Sequence, residues 1–129
     1  MKHEALTAEL RALREQVAGI TDTVLGTADG LLILADTADG IDPGGLSALA
    51  AAGLGLARRT AEATRQGSLR QTVVHSSGGC TAVYAVGRRA LVVVLGDEGL
   101  DVERLHQQAQ SAIERIDAIL SATPPPEHE

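Results

Sequence analysis

Three stretches of this chain repeat apolar residues at helical spacing, and five short apolar runs lie between them. From 4 to 18, Leu6, Leu10, Leu13 and Val17 form one narrow stripe, and Gly19 supplies a stop. So narrow a stripe predicts a helix laid across an edge of the core. Two apolar arms follow, Val24–Ala28 and Leu31–Ala35, joined by Asp29-Gly30, a strong two-residue hairpin signal. The second arm is apolar at every position, which predicts a strand covered on both faces. A loop from Asp36 to Gly45 leads into a helix over Pro43–Arg65, with Pro43 where a missing N–H costs nothing.

Beyond the break at Gln66-Gly67-Ser68, three strands are expected at Leu69–His75, Cys80–Val86 and Ala90–Leu95. The turns between them are short enough to require antiparallel neighbours. Leu91-Val92-Val93-Val94-Leu95 is the most apolar and β-branched run, so it belongs at the centre of the sheet. A last helix, about 100–120, buries Val102, Leu105, Ala109, Ala112, Ile113, Ile116, Ile119 and Leu120. The Pro-rich segment 121–129 is expected to be a disordered tail. The pattern is therefore α+β, α-β-β-α-β-β-β-α, in one domain over 1–120. Its single five-stranded antiparallel sheet carries the central helix on one face and the terminal helices on the other.

The central helix departs from the pattern of a surface helix. From Leu46 to Ala57 its only polar side chain is Ser47, so it has no wet face for about three turns. It is too short to span a bilayer, which needs roughly 20 apolar residues. Leu46, Leu49, Ala50, Gly53, Leu56 and Ala57 fall in one sector, and Ser47, Ala48, Ala51, Ala52 and Gly55 fall opposite. The leucine sector is expected to face the sheet. The small-residue sector suits close approach of another helix, most simply from a second copy of the chain.

Composition narrows the function more than it names it. The net charge is −6, and Tyr84 is the only aromatic among 129 residues. An acidic chain without stacking surfaces is a poor nucleic-acid binder. Cys80 is the only cysteine, so no internal disulfide can form, and it reads as an inert core thiol. No signal peptide is recognisable at the N-terminus, and a cytoplasmic location is expected.

Candidate chemistry is sparse. No GxxxxGK[ST] phosphate loop is present, and the pairs Gly44-Gly45 and Gly78-Gly79 read as turns. His3, His75, His106 and His128 are scattered, and one cysteine cannot complete a zinc site. Asp36, Asp39 and Asp42 lack calcium-loop spacing. Asp97, Glu98, Asp101 and Glu103 crowd a helix start, where the macrodipole favours negative charge. His75 and Ser76 are strand neighbours that point to opposite faces. No catalytic residue, metal or cofactor is expected.

Taken together, Ala28-Asp29-Gly30-Leu31 at a strand end, the helix LAAAGLGLARR, the strand Leu69–Val74 before a glycine turn, and two apolar strands before a terminal helix resemble the roadblock family of dynein-light-chain-type domains. The resemblance covers about residues 6–120. It implies homodimers or heterodimers in which central helices pack together and third strands join two sheets. It also implies regulators or scaffolds of small Ras-like GTPases. Bacterial members resemble the partner of the gliding-motility polarity GTPase, which promotes GTP hydrolysis. Others accompany a sensor kinase and a GTPase, and eukaryotic relatives act as dynein light chains or lysosomal scaffolds. The family has no fixed catalytic residue.

The interface that the resemblance implies comprises Ala48, Ala51, Ala52, Gly55 and Arg59 on the helix, and the strand Leu69 to His75, with Leu69, Gln71 and Val73 singled out on it. Arg58, Arg65 and Arg70 are candidate partner contacts, since an exposed arginine beside a GTPase can act on hydrolysis. Two other readings share the expected fold: a profilin-like or PAS-like small-molecule sensor, and a nucleotide-independent adaptor for a kinase or motor. A single tyrosine supplies little lining for the sensor's pocket.

Overall fold

Leu91 to Val94 are buried on both sides of the sheet, and everything else is arranged around them. The computed structural model describes residues 2–122. Its elements are α1 (Lys2–Gln16), β1 (Ile20–Thr27), β2 (Leu32–Asp36), α2 (Pro43–Ala63), β3 (Gln71–Ser76), β4 (Gly79–Val86), β5 (Ala90–Gly96) and α3 (Val102–Ser121). The strands form one antiparallel sheet in the order β2-β1-β5-β4-β3. The run expected at the centre is there: Val93 is opposite Val24 of β1 and Val83 of β4. Ser121 closes α3, so the expected tail lies outside the described residues from 123 onward.

Alternation divides the sheet into two faces. Leu25, Ala82, Tyr84, Val86, Val92 and Val94 meet α1 and α3, whereas Val24, Val83, Leu91 and Val93 meet α2. The narrow stripe of α1 does not lie at an edge as expected. Leu6, Leu10, Leu13 and Val17 are all buried in the main core beside Leu105, Ala109 and Ile116 of α3. Two narrow stripes side by side cover one sheet face, so neither helix needs a broad one. The Arg115 guanidinium pairs with Glu9 at 2.8 Å, and that of Arg104 donates to the Gln16 carbonyl at 3.1 Å, fixing α1 against α3.

The second arm of the first hairpin is also placed differently. β2 is an edge strand, not a strand covered on both faces; Leu32 and Ala35 are exposed, and Ile33 and Leu34 are only half-buried. Uniform apolarity cannot separate a central strand from an edge strand, because pairing order depends on partners elsewhere in the chain. The far end of β2 is pinned by a 2.8 Å pair between Arg14 and Asp36.

α2 crosses the opposite face. Asp42 caps its N-terminus, with the side chain accepting from the Gly45 N–H at 3.1 Å, and Pro43 occupies the first turn. The helix is rotated about its axis relative to the expected orientation. Ser47, Ala50 and Leu54 point into the sheet, with Leu46 and Ala51 packed beside them. Leu49 and Leu56, expected in the core, point outward at 73% and 66% exposure. The physical reason is close approach. A β-carbon on Gly26 would overlap Ser47 Oγ, and one on Gly30 would lie 3.0 Å from Ala48 Cα. Small residues on the helix and two glycines on the first hairpin bring the backbones together, and leucines on that sector would hold them apart.

An exposed helix face beside a bare strand edge

The rotation of α2 leaves an apolar strip on the molecular surface. Leu49, Ala52, Gly53 and Leu56 follow one another at helical spacing on its outward side, with Ala48 at the margin, and all are exposed. Beside the helix, β3 forms the other edge of the sheet and, among the described residues, is paired only with β4. Register settles which way its side chains face. Val73 is opposite Ala82, which belongs to the α1/α3 core, so Val74 faces the α2 side, where it is 57% exposed. Large apolar side chains on a helix and on an adjacent unpaired strand edge form the kind of surface that soluble proteins cover with a partner.

The expected interface residues are divided by this geometry. Ala48, Ala52 and Arg59 are exposed on or beside the outward strip. Gly55 is half-buried with open space where a side chain would begin. Ala51 is turned inward against Gly30 and the α2-side core, and Leu69 packs against the same core. Gln71 and Val73 are half-buried on the α3 side of β3. Arg65 and Arg70 are exposed, Arg65 with a left-handed backbone, while Arg58 is half-buried. Leu49 and Leu56 were absent from the expected interface, whereas Val74 lies within the strand Leu69–His75 expected there. The 49–56 pair carried a signal, since leucines seven apart share a helix face.

The remaining polar residues are engaged structurally. Asp97 accepts from the Gly99 N–H at 2.8 Å, and Asp101 caps α3 by accepting from the Arg104 N–H at 3.1 Å. Among the described residues no cluster of three or more His, Cys, Asp or Glu side chains could hold a metal ion. Burial raises the pKa of the Cys80 thiol, which keeps it protonated and unreactive. The Tyr84 hydroxyl and His106 Nδ1 are hydrogen-bonded at 2.5 Å under α3. Among the described residues no helix is long and apolar enough to cross a membrane.

One antiparallel sheet thus carries helices on both faces, with an apolar side of one helix turned outward and a strand edge unpaired among the described residues. The chain belongs to the Roadblock/LC7 domain family, whose model matches residues 6–96. It is 30% identical over 101 residues to the uncharacterised protein MJ1340 of Methanocaldococcus jannaschii, covering 78% of this chain and 88% of that one. Among solved structures it is similar to a Roadblock/LC7 domain from Streptomyces avermitilis, at 23% identity and TM-score 0.80, covering 87% of this chain and 94% of that one. MglB of Myxococcus xanthus has the same fold at 18% identity and TM-score 0.80, covering 89% of this chain and 94% of that one.

Proposed function

We propose that this chain is a self-associating regulator or scaffold that works with a small Ras-like GTPase in the cytoplasm and performs no bond chemistry of its own. One observation carries the reading: the outward strip of α2, with Leu49 and Leu56 largely in water, beside the unpaired edge of β3. A second copy of the chain would cover that strip with its own α2 and extend the sheet through its own β3. The pair would then present a rigid composite surface to the GTPase. Membership of the roadblock family supports this reading, as does the shared fold with MglB. Arg59, Arg65 and Arg70 are exposed around that surface and are its candidate GTPase contacts. A sensor-kinase complex is a further partner in the same assembly.

The test is to mix the purified chain with a small Ras-like GTPase of the same organism, loaded with GTP or GDP, and to measure complex formation and GTP turnover. Binding that favours one nucleotide state is expected. Equal binding to both states would leave a nucleotide-independent adaptor, and no binding to either would end the GTPase reading.

A further inference from the structure

The inward sector of α2 changes character at its C-terminal end. Leu54 is the last large apolar residue on that sector, and the next positions at successive steps of four are Arg58 and Glu62. Where the helix overhangs the start of β3, an open surface pocket of about 580 Å³ lies between them. It is lined by Arg58 and Glu62 of α2, by Gly67, Ser68 and Leu69 before β3, and by Ala85, Gly87 and Arg88 at the β4–β5 turn.

The donors here are unspent. Ion pairs among the described residues engage Arg14, Arg89 and Arg115, but neither Arg58 nor Arg88. Arg89 shows the contrast, since it leaves the same turn and pairs with Asp117 of α3 at 3.7 Å. The Ser68 hydroxyl and the N–H groups of Gly67 and Ser68 also make no hydrogen bond among the described residues. Two guanidinium groups from separate elements, a hydroxyl and adjacent backbone N–H groups form a donor set with one acceptor, Glu62.

We propose that this pocket binds a small organic phosphate. A carboxylate is satisfied by one guanidinium fork, whereas a phosphoryl group near −2 charge has three oxygens to share between two. The volume exceeds what bare phosphate needs and falls within the range of small-molecule sites. The organic body rests on Leu69 and Ala85, and Glu62 accepts from a ligand hydroxyl or ammonium. The proposal does not rest on the GTPase reading, and its test contains no GTPase.

The experiment titrates the full chain with pyrophosphate, glucose 6-phosphate and, as a control, glucose, following backbone amides and arginine Nε–H signals by NMR. Saturable shifts centred on Gly67, Ser68, Gly87 and Arg88 are expected with both phosphates and not with glucose. Arg88→Gln should weaken binding about tenfold or more, the loss of a charge-assisted hydrogen bond, and Arg89→Gln should leave it unchanged. Arg58→Gln should act as Arg88→Gln does; if it also alters self-association, the turn variant alone decides. Glu62→Gln should tighten pyrophosphate, which gains nothing from an acceptor, and weaken the sugar phosphate relative to it. Shifts that never saturate, that persist in Arg88→Gln, or that do not respond to Glu62→Gln would overturn the site.

Discussion

α2 and α3 each lay one side on the same sheet, and they do so with opposite compositions. α3 buries Leu105, Ala109, Ala112 and Ile116 while Glu103, Gln107, Gln110 and Glu114 stay exposed. α2 buries the one polar residue between Leu46 and Ala57, Ser47, and leaves Leu49 and Leu56 in water. Water orients α3, because its polar side chains, apart from His106 on the Tyr84 hydroxyl, have somewhere better to be than the core. Nothing of that kind orients α2. Its rotation is set by fit: small residues seat against Gly26 and Gly30, and whatever is left faces out. A helix without a polar face therefore has its inward side chosen by the surface beneath it.

The largest effect expected from this contrast separates two leucines of one helix. Leu54 is 2% exposed against the sheet, and Leu54→Ala should lower the unfolding free energy by about 2–5 kcal/mol at any protein concentration. Leu56→Ala should cost less than about 1 kcal/mol in dilute protein, rising only at concentrations where copies associate. Urea unfolding at two protein concentrations reads both. Equal losses in dilute protein would mean that α2 presents its other sector to the sheet.

A second pair of changes tests the outward strip as a contact. Replacing Leu49 and Leu56 together by Glu places two charges where an apolar contact is proposed. Self-association measured by sedimentation should weaken about a hundredfold or more, while monomer stability stays within about 1 kcal/mol of the parent. Gly55→Glu should act less strongly, since Gly55 lies off the strip and has open space around it. If Gly55→Glu separated the copies and the leucine pair did not, the contact would be centred on the small-residue sector instead.

Much of this was legible in the residues. Asp29-Gly30, the turn glycines and the β-branched run at 91–95 are local signals, and they gave the element order and the central place of β5 correctly. The stripe of α3 was legible for the same reason that α3 is well oriented. What could not be read was relational. β2 is as apolar as a central strand, yet nothing in Leu32–Asp36 records that no strand pairs with its outer edge. Ser47 looked like part of a small-residue face for another helix, because the glycine that makes room for it, Gly26, lies in a distant strand. Leu54, the main anchor of α2, fell outside the expected leucine sector for the same reason. Val74 became visible as surface only once register set it opposite Thr81, on the α2 side of an edge strand.

Two buried hydroxyls, Tyr84 under α3 and Ser47 under α2, are held differently, and the pair gives the smallest and most pointed test. Thr23 Oγ1, on the α1/α3 side, also lacks a partner among the described residues. Under α3, the Tyr84 hydroxyl is bonded to His106 Nδ1, and the two rings meet edge to face at 5.6 Å. Under α2, Ser47 Oγ is fully buried with no hydrogen-bond partner. Tyr84→Phe should therefore cost about 1 kcal/mol at neutral pH, whereas Ser47→Ala should be neutral within about 0.5 kcal/mol or slightly stabilising. Burial, and to a lesser degree the neighbouring Cys80, raises the Tyr84 pKa above its ordinary value of 10.0. Below that value the phenol is neutral in both folded and unfolded chains and contributes no pH dependence. Above it the unfolded chain loses the proton first and binds fewer protons, so stability falls as pH rises. Tyr84 is the only tyrosine, so tyrosinate absorbance on alkaline titration reports this group alone. In Tyr84→Phe the part of the alkaline decline above pH 10.0 that belongs to this residue should vanish. An unchanged decline would mean that the hydroxyl under α3 is no better held than the one under α2.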